Sequence, residues 1–194
     1  MTRIAIFASG NGSNAQNIIE YFRSHDLNIN SALVVCNRPE ARVIERARAL
    51  GVPVEVLSRE QIADPAVLLP LMERHHIDAV ILAGFLLLIP EFLIDRYPER
   101  IINIHPSLLP KFSGKGMYGA NVHKAVVAAG ECETGITIHM VSREYDRGRI
   151  IFQQAIPVLP DDTPADVERK IHNLESVHYP AVIADTLSHL TSCE

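Results

Sequence analysis

The chain has no cysteine pair, no basic surplus and no long apolar run, and each absence removes a class of function. Its three cysteines, Cys36, Cys132 and Cys193, are widely spaced and odd in number, and no Cys-x-x-Cys offers a zinc site or a redox centre. Reduced thiols in a cytoplasmic protein are the reading that follows. Lys and Arg number 18 against 23 Asp and Glu, a net charge of -5 with a pI near 6.0. That balance argues against a nucleic-acid binder, which would carry a basic stripe. An anionic substrate must then be held by local donors. No apolar stretch approaches the ~20 residues that span a bilayer, and Met1-Thr2-Arg3 runs into a strand-like segment without a charged leader. Repeats, low-complexity tracts and linkers are missing as well, so 194 residues with 47% hydrophobic side chains suit one domain, residues 1–194.

What is present is an alternation of strand-length apolar runs with segments of helical period, the pattern of a mostly parallel α/β sheet covered on both faces. Ile4 to Ala8, Ala32 to Cys36, Val54 to Leu57, Ala79 to Ala83 and Ile101 to Ile104 read as strands. Ser13 to Ser24, Pro39 to Leu50 and Pro65 to His76 read as helices, the second with Pro39 in its first turn and Gly51 past its end. Further on, Gly135 to Val141 and Arg149 to Val158, joined by Ser142 to Gly148, read as an antiparallel hairpin. Thr163 to Leu190 reads as a terminal helix capped by Thr163 and bent at Pro180.

Two stretches bear chemistry. Ser9-Gly10-Asn11-Gly12-Ser13-Asn14 joins the first strand to the first helix, where glycines allow close approach and free helix amides attract a phosphate. No Gly-Lys-Ser/Thr follows, so it is not a Walker loop. The second strand ends in Cys36-Asn37-Arg38 without the acidic residue that grips a dinucleotide's ribose, which disfavours NAD. A turn that only caps the helix would show the same residues. Asn103-Ile104-His105-Pro106 is the second stretch: alternation along a strand puts Asn103 and His105 on one face, at the carboxyl edge where parallel sheets bind ligands. Asn103 is suited to donate to an oxyanion, and the His105 imidazole to move protons. Asp146 is the best carboxylate partner for that imidazole, though Asp-x-Gly in a hairpin also serves simply as a turn. His139, on the strand leading to Asp146, suits either a place behind the site or plain packing.

Taken in order, Ser9 to Asn14, Leu82-Ala83-Gly84-Phe85, Asn103-Ile104-His105-Pro106-Ser107-Leu108-Leu109-Pro110 and Gly135-Ile136-Thr137-Ile138-His139 through Asp146-x-Gly148 resemble the phosphoribosylglycinamide formyltransferase family over nearly the whole chain. The resemblance implies a seven-stranded sheet, mostly parallel and twisted, with a Rossmann-like N-terminal half (1–100) for the nucleotide. A second half (101–194), with an antiparallel C-terminal hairpin, would hold folate and catalytic groups. It implies transfer of formyl from 10-formyltetrahydrofolate to the amine of glycinamide ribonucleotide, in de novo purine synthesis, with no metal. Catalysis would fall to Asn103, His105 and Asp146. Gly12, Ser13, Asn14 and Glu175 would hold the ribonucleotide. Phe85, Leu86, Leu87, Leu88, Ile89 and Asn103 would line the folate pocket, with the backbone of Ser142, Arg143, Glu144, Tyr145 and Asp146 around the pteridine. The partners implied are small molecules, not nucleic acid or membrane, for a cytoplasmic monomer or homodimer.

Two departures from the family stand out. The Arg that commonly follows Phe85 is replaced by Leu86-Leu87-Leu88, leaving Arg59 as the cation for the folate tail. The segment between Ser113 and His123 is longer and holds three glycines, as a lid would. Rival readings are a formyltetrahydrofolate deformylase-like hydrolase, which normally bears an extra N-terminal domain, and a non-catalytic phosphosugar-binding module. A methionyl-tRNA formyltransferase would need a basic C-terminal domain for which this chain leaves no room.

Overall fold

The computed structural model describes residues 1–191, so Cys193 lies outside the described residues. Seven strands form one sheet: β1 (Thr2–Ala8), β2 (Ile29–Cys36), β3 (Val54–Val56), β4 (Ala79–Leu82), β5 (Ile101–His105), β6 (Glu133–Met140) and β7 (Ile150–Pro157). Their order is β3-β2-β1-β4-β5-β6-β7. The first five strands run parallel, and β6 and β7 add antiparallel to β5. This is the architecture expected from the alternation of apolar runs.

Seven helices cover the sheet: α1 (Ser13–Ser24), α2 (Val43–Ala49), α3 (Arg59–Ile62), α4 (Pro65–Arg74), α5 (Glu91–Arg96), α6 (Ala120–Ala128) and α7 (Pro164–Thr191). Strand periodicity splits the core in two. Ile4, Ile6 and Ala8 of β1 and Ile102 and Ile104 of β5 pack with Ile18, Phe22, Val43 and Ile183 from α1, α2 and α7. Ala5 and Phe7 face the other way, onto Leu68 and Met72 of α4 and Leu93 of α5. With both faces buried, the central strands read as continuous apolar runs.

Several boundaries differ from the sequence expectation. The helix read from Pro39 begins only at Val43, because Ala41 N donates to Arg38 O in a turn and Val43 N donates to Gly10 O. Docking against the first loop therefore sets the start of α2, overriding proline's preference for a first turn. The expected lid is part helix: α6 begins at Ala120, so Ala120 to His123 belong to it and only the segment up to Gly119 is loop. α3 and α5 were not expected; α3 is set by Ser58, whose hydroxyl accepts from Gln61 N while Gln61 Oε1 accepts from Ser58 N. The last helix continues through Pro180 as one element. Among the described residues no helix is long and apolar enough to cross a membrane.

Candidate active site

Strand order reverses at β1, which pairs with β2 on one side and β4 on the other, so the loops after β1 and β4 part and open a crevice at their carboxyl ends. The loop bases stay tied: Ser9 N donates to Gly84 O (3.1 Å) and Leu86 N to Ser9 Oγ (2.9 Å). The resulting cleft of about 750 Å³ runs from the N-terminus of α1 to the β6–β7 turn.

At one end, Gly12 is the N-cap of α1 with φ 78°. A Cβ there would sit 2.5 Å from Val43 Cβ and 2.6 Å from its Cα, so only glycine lets α1 and α2 meet. Arg46 bonds both Asn11 Oδ1 (3.1 Å) and Gln16 Oε1, bracing the loop from behind. The first-turn amides of α1 have no partners within the helix and face the cleft with Ser13 and Asn14. Asn14 Nδ2 donates to Glu175 Oε2 at 2.9 Å, bringing together two residues 161 positions apart. Burial pushes the Glu175 carboxyl above its ordinary range; the Asn14 bond and His172 counteract this, and Glu168 reinforces it.

At the other end stand Asn103, His105 and Asp146. β5 alternation buries Ile102 and Ile104 in the core and leaves Asn103 and His105 on the cleft side. His105 Nε2 lies 2.8 Å from the Phe112 carbonyl, which can only accept, so Nε2 carries a hydrogen. His105 Nδ1 faces Asp146 Oδ1 at 3.6 Å, an ion-pair distance rather than a hydrogen bond. Asp146 therefore does reach the imidazole's edge, and Gly114 N donates to its other oxygen at 3.1 Å. Phe112 and Asp146 both adopt φ 53°, strained for residues with side chains, and both present an oxygen to His105. Thr137 supports the exit loop by donating to Ser107 O (2.7 Å) and accepting from Leu109 N (3.0 Å).

Of the expected contacts, Gly12, Ser13, Asn14, Glu175, Arg59, Phe85 to Ile89, Asn103, Ser142, Glu144, Tyr145 and Asp146 all border the cleft. Arg143 does not: its guanidinium turns outward to Asp95 (2.8 Å) and Glu91 (3.6 Å) on α5. The run after Phe85 is mixed, with Ile89 buried and Leu88 48% exposed, so these leucines are not simply core. Glu168 and His172 border the cleft without belonging to the expected set, although their spacing with Glu175 puts all three on one side of α7. Also outside that set is His123, buried between α6 and α7 with Nδ1 unpartnered, whose pKa burial holds below the ordinary value. His139 completes this end of the cleft: its Nε2 lies 3.1 Å from Asn103 Nδ2.

Comparison with known proteins gives this arrangement a context. The formyl transferase family profile matches residues 2–183. A phosphoribosylglycinamide formyltransferase of Bacillus subtilis (strain 168) is 38% identical over 191 residues, covering 96% of this chain and 95% of the relative. The chloroplastic phosphoribosylglycinamide formyltransferases of Arabidopsis thaliana and Vigna unguiculata are each 40% identical over 93% of this chain, which spans only 64% and 59% of their lengths. Among solved structures, the phosphoribosylglycinamide formyltransferase of Bacillus halodurans superposes with a TM-score of 0.87 at 35% identity, covering 96% of each chain. Glycinamide ribonucleotide transformylase 1 of Geobacillus kaustophilus does so at 0.86 and 39%, covering 95% of this chain and 97% of that one.

Proposed function

Since the chain belongs to the formyl transferase family, we propose that it moves the formyl group of 10-formyltetrahydrofolate to the amine of N1-(5-phospho-D-ribosyl)glycinamide, a step of purine synthesis. The observation that carries this reading is one continuous cleft with a helix N-terminus at one end and the Asn103, His105 and Asp146 cluster at the other. A substrate with a phosphate and a reacting amine at opposite ends matches that polarity.

In this reading the phosphate rests on the α1 amides with Gly12, Ser13 and Asn14, and Glu175 accepts from the sugar. The flat folate lies along Phe85 to Ile89 and the backbone of Ser142 to Asp146. Arg59 faces its acidic tail in place of the absent family Arg. The two halves of the chain, 1–100 and 101–194, divide this work unevenly, because Glu175 joins the nucleotide end from the second half.

The neutral amine attacks the formyl carbon, and the carbonyl electrons move onto oxygen. Asn103 Nδ2–H donates to that oxyanion; a donor so placed is worth about 100-fold to 1000-fold in rate. The bond from carbon to the folate nitrogen then breaks as His105 supplies the proton that nitrogen requires, and the attacking amine gives up a proton in turn. Because the Phe112 carbonyl engages Nε2–H, the moving proton sits on Nδ1, the nitrogen facing Asp146. Asp146 stands on the Nδ1 side of the ring and orients it. No covalent enzyme intermediate is needed. The reading places the enzyme in the cytoplasm, as a monomer or homodimer with small-molecule partners.

A formyl-transfer assay run with and without glycinamide ribonucleotide tests the proposal. Tetrahydrofolate release that depends on the amine is the expected result. Release without the amine would make the protein a hydrolase, and binding without release would make it a carrier.

A further inference from the structure

Asn103 of β5 and His139 of β6 are directly opposite each other across the strand pair. His139 is 2% exposed, and each ring nitrogen has a defined neighbour. Nδ1 lies 2.9 Å from the Met140 carbonyl oxygen, which only accepts, so Nδ1 carries a hydrogen. In a neutral ring Nε2 is then a bare acceptor, 3.1 Å from Asn103 Nδ2. Only the NH2 end of the amide can meet it, since an amide oxygen there would set lone pair against lone pair. We propose that His139, as a neutral ring, is a positioning residue that decides which end of the Asn103 amide faces the reacting carbonyl. One N–H is bound to His139, and the other is left for the oxyanion. This inference rests on the reading of Asn103 as the oxyanion donor.

The surroundings of His139 favour that neutral state. Asp146 Oδ1 lies 3.8 Å from Nε2 and 3.6 Å from His105 Nδ1, so one carboxylate oxygen faces two rings. Across the sheet, β7 presents Ile150, which does not titrate. Burial holds the ring's pKa below the ordinary value; the Met140 bond and Asp146 act against this, and His105 adds to it. A neutral His139 leaves the Asp146 charge to His105. A protonated His139 would undo both arrangements, because its Nε2–H would turn the Asn103 oxygen inward and draw Asp146 away from His105.

The test is a cycle of variants in the transfer assay. His139→Phe should lower kcat about ten-fold or more, less than the loss expected on removing the donor itself, with KM for the ribonucleotide unchanged. His139→Gln, whose side-chain oxygen can accept from Asn103, should recover most of that loss. In an Asn103→Ala background, His139→Phe should have no further effect. An equal fall in both backgrounds would overturn the positioning role while leaving the transfer reaction standing. A parent enzyme without amine-dependent transfer would sink the functional reading itself. Ring ¹⁵N shifts of the unmodified protein at pH 7 give an independent check: the Nδ1–H tautomer is expected for His139, and an imidazolium or Nε2–H form refutes the proposal.

Discussion

His105 is held by its backbone neighbour more tightly than by its carboxylate: the Phe112 carbonyl stands at 2.8 Å and Asp146 at 3.6 Å. Replacing His105 by Ala removes the proposed proton donor but leaves the distant α1 terminus untouched. Turnover should fall by about 100-fold or more, while calorimetry shows ribonucleotide affinity within about two-fold of the parent. Unchanged turnover would remove His105 from the mechanism. Glu175 faces a different conflict. Its raised pKa means that the folded state favours the protonated form, so its contribution to stability is present below the ordinary value of about 4.3 and is lost as pH rises through the raised one. At neutral pH, above the ordinary carboxyl value, the buried group is therefore a burden on the fold. Glu175→Gln should raise the melting temperature at pH 7 by a few degrees, on the order of 2 °C or more, while weakening ribonucleotide binding about ten-fold. A lower melting temperature would show that the carboxylate stabilises its surroundings as an ion.

At the scale of elements, the β6–β7 connection sets where Asp146 lies. A Cβ on Gly148 would come 1.6 Å from Met140 O, inside any tolerable contact, so the chain passes there only as glycine. Gly148→Ala should cost about 1–3 kcal/mol in a urea melt and reduce kcat more than KM, because the turn carrying Asp146 must shift. An Ala variant with parental stability and rate would mean that the turn tolerates displacement. Elements with a strong local signal were legible in the sequence. α1 is legible from Ser13 to Ser24 because a glycine turn meets a clear helical period, and β5 alternation puts Asn103 and His105 on one face. The start of α2 was not legible, since it depends on Val43 meeting Gly10 and Gly12 across space. α3 and α5, at 4 and 6 residues, are too short to show a period. The outward turn of Arg143 follows from Asp95 and Glu91 on α5, a helix the sequence had not announced.

Across the whole molecule, acid should act through two buried rings. His123 and His139 both have pKa values lowered by burial, so the unfolded chain binds protons that the folded one refuses. Their stabilising contribution is complete above the ordinary imidazole value of about 6.5 and disappears as pH falls through the lowered values. In a Glu175→Gln background, which removes the carboxyl of opposite sign, unfolding free energies from urea melts should hold between pH 8 and 7 and then drop below pH 6.5, by at most about 1.4 kcal/mol per pH unit for each ring. His123→Gln should flatten the drop, and an unchanged free energy from pH 7.5 to 5.5 would show that neither ring resists protonation. Tyr179 ties the fold beneath the site: its hydroxyl lies within hydrogen-bonding distance of the carbonyls of Leu82 (2.8 Å), at the end of β4, and Ile102 (3.2 Å), within the parallel neighbour β5. That bond, together with Asn14 to Glu175, spans 77 to 161 positions of chain. Synthesis runs from the N-terminal side, so the glycine loop and the Asn103–His105 strand emerge long before the helix that closes over them. The cleft is complete only once Glu175 and Tyr179 have left the exit tunnel, and until then the half-built sheet exposes the apolar face that the last helix covers in the finished fold.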